Sequence, residues 1–174
     1  MSQDFDTIYR DIAPGVFRYL RRLVGSRLLA EDILQDTFLT LYLRMEDGME
    51  VDNPRAWLFH VATNVARNKR RDAVRAAVRE ERYLAAPQRV VDIHNRLENQ
   101  EVVRQVLTNL SPRMRQALLL FSEGFSYREI AQIAEIEATH VGTLLQRARE
   151  AFKELFEEQQ HGRERNKEKQ RRSL

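Results

Sequence analysis

The feature that most constrains the fold is a repeat of apolar residues every three or four positions, with no apolar/polar alternation anywhere over a strand's length. Ile8, Ile12, Val16, Tyr19, Leu20 and Leu23 follow it, giving an amphipathic helical region interrupted at Pro14 and stopped by Gly25. A second helix is predicted from about Leu29 to Met45, with Ile33, Leu34, Phe38, Leu41 and Tyr42 on its apolar side. The stretch EDGMEVDN has no period and reads as a loop. Asn53 followed by Pro54 is a start signal, a capping side chain before a proline at the first helical position. A third helix therefore begins with PRAWLF. The expectation is an all-α protein.

After about Arg82 the pattern weakens through YLAAPQRVVD, which contains Pro87 and predicts a flexible linker over 81–96 between two small helical domains, 1–80 and 97–158. The second domain starts near Ile93 or Leu97 and continues through Val102, Val106 and Leu107. Ser111 and Pro112 open its next helix and Gly124 closes it. Ser126 and Glu129 form a capping box ahead of YREIAQIA. After a short break at 135–138 a last helix carries Val141, Leu145, Ala148, Phe152 and Leu155 on one face. The tail, 159–174, is basic and lacks an apolar face, so disorder is expected beyond Gln160.

The 174 residues, 43% of them apolar, suffice for such cores. The formal net charge of +3 is unevenly spread. Residues 30–52 carry seven acids and only Arg44, a net of −6, whereas residues 67–79 carry six bases and only Asp72, a net of +5. Residues 162–174 add a net of +4. A basic patch attracts phosphates, and the acidic stretch before it would repel them and suits a basic protein. Two kinds of partner are implied.

Several classes are disfavoured. There is no cysteine, hence no disulfide framework or thiolate metal site. His60, His94, His140 and His161 are scattered, with no HExxH pair, so no metal or other cofactor is expected. Neither a glycine-rich phosphate loop nor a nucleophile elbow occurs, which argues against an enzyme with a small-molecule substrate. The opening MSQDFDTIYRD is polar and acidic where a signal peptide is basic and then apolar, and no apolar run reaches membrane-spanning length. A cytoplasmic chain without direct membrane insertion is expected.

On the third helix, at roughly 100° per residue, Trp57, Leu58, Val61, Ala62 and Val65 share one arc, predicted to be buried. His60, Asn64, Arg67 and Arg71 share the opposite arc, with Asn68 at its margin. Asparagine offers a donor and an acceptor to a base edge, and arginine offers charge and a planar fork to phosphate or guanine. A merely solvated face would more typically pair glutamate with lysine. In the second half, SYREIAQIA and THVGTLLQRARE, joined by about four residues, have helix-turn-helix spacing. His140, Thr143, Gln146 and Arg147 point away from the apolar face of the second of these helices. Gly142 costs about 1 kcal/mol there relative to alanine; close approach to DNA and simple tolerance at a surface position both account for it.

AEDILQDTFLTLY, PRAWLFHVATNVARNKRRD and LSPRMRQALLLFSEGFSYREIAQIAEIEATHVGTLLQRARE together resemble regions two and four of bacterial sigma factors, specifically the compact extracytoplasmic-function (ECF) group of the sigma-70 family. The resemblance spans about Phe5 to Leu155. It implies that Asp32, Gln35, Asp36 and Phe38 dock on the clamp helices of the largest subunit of core RNA polymerase. Asn64 and Asn68 would read the melted minus-ten promoter element, beside His60, with Arg67, Arg70 and Arg71 near the backbone. The loop from Glu46 to Asn53 would hold a flipped-out base, with Trp57 in the core rather than in that pocket. The helix-turn-helix would read the minus-thirty-five element through His140, Gly142, Thr143, Gln146 and Arg147, and dock on the flap tip of the second-largest subunit. Glu137, His140 and Gly142 depart from the family's usual capping serine, threonine and basic residue, which implies an altered minus-thirty-five preference and a weaker phosphate grip.

The resemblance thus implies a promoter-specificity subunit with core polymerase, promoter DNA and an inhibitory anti-sigma factor as partners. Two alternatives stand beside it. A sigma mimic that titrates an anti-sigma factor would need no base-reading stripe. A stand-alone helix-turn-helix regulator would leave the acidic AEDILQDTF helix unexplained.

Overall fold

The computed structural model describes residues 4–80 and 98–172, with side chains over 4–75 and 101–162. Among the described residues there is helix and no strand. The helices are α1 (Phe5–Val24), α2 (Arg27–Glu46), α3 (Pro54–Glu80), α4 (Glu98–Asn109), α5 (Pro112–Ser122), α6 (Tyr127–Ala134) and α7 (Ala138–Arg172). They form two compact units, one built on α1–α3 and the other on α4, α5, α7 and α6 as far as Ala131. The linker expected at 81–96 lies outside the described residues.

In the first unit the three helices pack against one another. Contrary to expectation, Pro14 does not interrupt α1, which runs unbroken for 20 residues. A proline leaves the carbonyl four residues earlier without its donor; here both Pro14 and Arg10 are exposed, so water can satisfy that carbonyl. Gly25 ends the helix in the left-handed region (φ 75°), its N–H bonded to Arg21 O, and Ser26 Oγ accepts from Leu29 N (3.3 Å). One residue of each kind makes the corner, and α2 begins two residues earlier than its apolar pattern suggests. Asn53 Oδ1 accepts from Ala56 N (3.0 Å), confirming the predicted start of α3.

The core of this unit combines Ile8, Val16, Tyr19 and Leu20 with Ile33, Phe38 and Leu41, and with Leu58, Phe59, Ala62 and Ala66. Thr63 is also fully enclosed, and its polarity is resolved by a relay. Thr63 Oγ1 donates to Phe59 O (2.7 Å), leaving it to accept from the Tyr19 hydroxyl (2.8 Å). Burial pushes the Tyr19 phenol well above its ordinary titration range, so this donor stays protonated.

In the second unit Ser111 caps α5 with Pro112 at its first position, and Gly124 turns the chain at φ 85°, as expected. The Ser126–Glu129 capping box is complete in both directions. A tie not foreseen from sequence comes from Arg115, whose guanidinium donates to Leu107 O (2.6 Å), Thr108 O (2.7 Å) and Leu110 O (3.2 Å). These belong to the last turn of α4 and the residue after it, where helix carbonyls lack internal donors and a positive charge is favoured. Buried Val102, Val106, Leu120, Ile130, Ile133, Val141, Leu145 and Ala148 fill the unit. The α7 backbone continues as helix through the tail to Arg172.

Candidate nucleic-acid and polymerase interface

The α3 helix carries its described core contacts only as far as Ala66. Beyond it every described residue through Arg75 except Lys69 is exposed, so Arg67, Asn68, Arg70 and Arg71 stand on a projecting helix. The buried arc is rotated from the predicted one. Leu58, Phe59, Ala62, Thr63 and Ala66 are enclosed, whereas Trp57, Val61 and Val65 are half-buried. A threonine with a buried partner looks polar in sequence, and that pulled the predicted arc away from it. Trp57 is therefore not core; the Arg44 guanidinium lies over its ring, 5.5 Å from the centroid.

The expected stripe is present and cross-linked. Asn64 Nδ2 lies 2.6 Å from His60 Nε2, and Arg71 Nη2 donates to Asn68 Oδ1 (2.5 Å). Both links span one turn of helix. His60 and Asn64 are half-buried, which limits their rotamers, while Asn68 and Arg71 sit in solvent. A groove or single strand laid along this row would meet amides first and guanidinium groups beyond them.

The predicted α2 set divides. Asp32, Gln35 and Asp36 are on the outward face. Phe38 is not: it is 4% exposed, with its ring edge-on to Phe5 (6.3 Å) and Tyr9 (4.8 Å). Its assignment as a docking residue is corrected to a core role, because it lies on the same side of α2 as Leu41. The outward side of α2 also carries exposed leucines. Leu28, Asp32, Gln35 with Asp36, Leu39 (57% exposed) and Leu43 (54% exposed) recur at three or four residues and so form one outward row. Apolar pattern alone missed it, since α2 has leucines on both faces.

In the second unit α6 ends at Glu135, held in the left-handed region (φ 55°, ψ 51°), and α7 starts after Glu137, whose carbonyl accepts from His140 N (2.9 Å). This is the tight turn of a helix-turn-helix. His140, Thr143, Gln146 and Arg147 are all exposed on the side opposite Val141, Leu145 and Ala148. Gln146 is engaged with Glu150 (3.1 Å). Gly142 is half-buried, and a Cβ built on it would meet the Tyr127 ring at an ordinary 3.7 Å. Tyr127 in turn stands edge-on to Phe121, over which the Arg149 guanidinium stacks at 4.6 Å. Arg149 is thereby drawn onto an aromatic ring of its own unit.

Two family descriptions match the chain in order, Sigma-70 region 2 over residues 8–76 and Sigma-70 region 4 over residues 100–152. RNA polymerase sigma factor CarQ of Myxococcus xanthus is 31% identical over 165 residues, covering 90% of this chain and 92% of CarQ. The chain belongs to the ECF group of the sigma-70 family. ECF RNA polymerase sigma factor SigM of Bacillus subtilis is 27% identical over 157 residues, 87% of this chain and 94% of SigM. Among solved structures, the sigma factor RpoE of Bartonella quintana, in complex with the anti-sigma factor NepR, superimposes with a TM-score of 0.75 at 25% identity, covering 88% of this chain and 97% of RpoE. This sigma factor is a transcription initiation protein by family. Among its described residues no group of three or more histidines or carboxylates could hold a metal, and no helix is long and apolar enough to cross a membrane.

Proposed function

We propose that this sigma factor recruits core RNA polymerase to promoters by reading two DNA elements with its two units. The outward α2 row of Leu28, Asp32, Gln35, Asp36, Leu39 and Leu43 docks on the polymerase's largest subunit. Asn64 and Asn68 read the melted minus-ten strand, His60 supports Asn64, and Arg67, Arg70 and Arg71 hold the phosphates. The loop from Glu46 to Asn53 receives a base turned out of the stack, which takes a few kcal/mol to extract. His140, Gly142, Thr143, Gln146 and Arg147 face the minus-thirty-five groove. The polymerase supplies the chemistry.

The observation that carries this reading is the separation of two outward rows within one three-helix unit: leucines and acids on α2, amides and arginines on α3. One suits a basic protein surface and the other suits nucleic acid. The RpoE complex with NepR supports control by an anti-sigma factor; a factor covering the α2 row would keep the chain from polymerase until released.

The test is transcription of fragmented genomic DNA by purified bacterial core polymerase with and without the chain, with sequencing of new transcript starts. Discrete starts sharing two spaced upstream motifs are expected. Failure to bind core, together with unaided binding to duplex DNA, would overturn the reading in favour of a stand-alone regulator.

A further inference from the structure

The charge of the α2 row is not set by α2 alone. Lys69, on α3, reaches across to the acids one turn apart on α2, its Nζ lying 2.5 Å from Asp32 Oδ2 and 2.9 Å from Asp36 Oδ2. By helical angle it sits about 140° around α3 from Asn64, on the side of Leu58 and Ala62 that meets α2. Counted by sequence, Lys69 is one of the bases of the 67–79 patch; in the fold it belongs to the acidic surface. Hydrogen bonding to Asp32 and then Asp36 holds its ammonium charged above the ordinary lysine range. Lys69 keeps 31% of its side chain exposed and the two carboxylates keep 55% and 46%, so solvent, and hence a partner, reaches the whole trio.

We infer that Lys69 is an internal competitor for the basic partner of the α2 row, occupying the carboxylates that a docking cation must take. The inference rests on the assignment of that row to core polymerase. With two acids and one lysine the centre of the row carries a single net negative charge instead of two. Exposed ion pairs are weak and easily exchanged. A partner arginine, with a planar fork that meets a carboxylate through two N–H groups, displaces a point-charge ammonium. Complementary charges that solvent reaches in the free chain act more on association rate and its salt dependence than on affinity. Lys69 therefore lowers the rate at which the free chain is captured, and restricts capture to partners that bring their own well-placed cations.

The measurement is the association rate of the full chain with bacterial core polymerase, for wild type and Lys69→Met, across a salt series. Methionine keeps an apolar stem of similar length. Association of Lys69→Met should be faster by about two- to fivefold at low salt, the gap closing as the Debye length shortens. Unchanged or slower association at unchanged melting temperature would overturn the inference and leave Lys69 as a strut between α2 and α3. Should Lys69→Met melt early, Asp32→Asn is introduced with and without it: masking requires a larger loss of binding in the Lys69→Met background, and equal losses refute it. A wild-type chain that does not bind core at all would sink the polymerase assignment instead. In that case titration of the Lys69 ammonium by NMR decides the internal pairing: it should fall to the ordinary lysine range when Asp32→Asn and Asp36→Asn are combined, and no change would refute the pairing.

Discussion

The two helices proposed to read DNA are built differently. α3 puts three arginines on a projecting end that no described core residue covers, and couples its amides to neighbours one turn away. The start of α7 offers Arg147 as its one cation among the proposed contacts, draws Arg149 onto the Phe121 ring and has glycine at 142. On this proposal charge would weigh more in the first reader, and hydrogen-bonding groups and the fit of a helix into a groove would weigh more in the second. A melted strand has no fixed shape, so phosphate contacts would position it for Asn64 and Asn68 to read, whereas a duplex groove positions a helix by shape.

The largest effect that would break this contrast is on salt dependence. Replacing Arg67, Arg70 and Arg71 together by alanine should weaken promoter binding by the polymerase–sigma complex about 100-fold at moderate salt and flatten the log–log salt slope by about two, since each contact to a single strand contributes about 0.7. Arg147→Ala should flatten it by about one at most. Comparable changes from both would mean the two readers share the phosphate work equally. Asn64→Ala should lower discrimination at one minus-ten position by about 1–3 kcal/mol, measured as the affinity ratio for matched and substituted promoters, with core binding intact.

The supports differ too. In the first unit the Tyr19–Thr63–Phe59 relay lies beneath the reading face. Thr63→Val should destabilise the unit by about 1–3 kcal/mol, because a buried phenol loses its acceptor, and Tyr19→Phe by about 1 kcal/mol, because Thr63 keeps its bond to Phe59. Denaturant unfolding of both variants would show the asymmetry. The folded-state phenol titrates above its unfolded value of 10.0, so its contribution is intact below about pH 10 and is lost as pH rises further; Tyr19→Phe should remove that part of the alkaline loss. In the second unit the smallest effects run the other way. Glu135→Gly should stabilise it by about 1 kcal/mol by relieving a left-handed non-glycine residue, and Gly142→Ala by up to about 1 kcal/mol, since the Tyr127 ring leaves room for a methyl group. A loss of stability in Gly142→Ala would show that the Tyr127 contact tolerates no side chain.

Which site residues were legible follows from how local their environment is. Asn64, Arg67 and Arg71 were placed by angle on α3, and His140, Thr143 and Gln146 on α7, and angle within each helix suffices to put them on exposed or half-exposed faces. For Phe38 the two readings disagreed: its spacing put it on the apolar side of α2 while the family resemblance implied docking, and its enclosure by Phe5 and Tyr9 agrees with the spacing. Leu39 and Leu43 lie outside the apolar arc that the spacing defines and are exposed in the fold, but spacing alone gives an outward leucine no role. Arg115 gave no local sign of capping α4, since its carbonyl partners lie five to eight residues away and across a helix boundary.

The sequence by itself determined the all-helical class, the caps at Asn53, Ser111 and Ser126, the division into two units and the separation of acidic from basic stretches. These depend on contacts within a turn or two of helix and on composition. Only the tertiary structure decided which leucines face outward, that Thr63 is a buried acceptor, and that Lys69 belongs to the acids of α2 rather than to the basic stretch around it. Each of those depends on which second helix lies alongside, and residues as far apart as Asp32 and Lys69 meet only once α2 and α3 have packed.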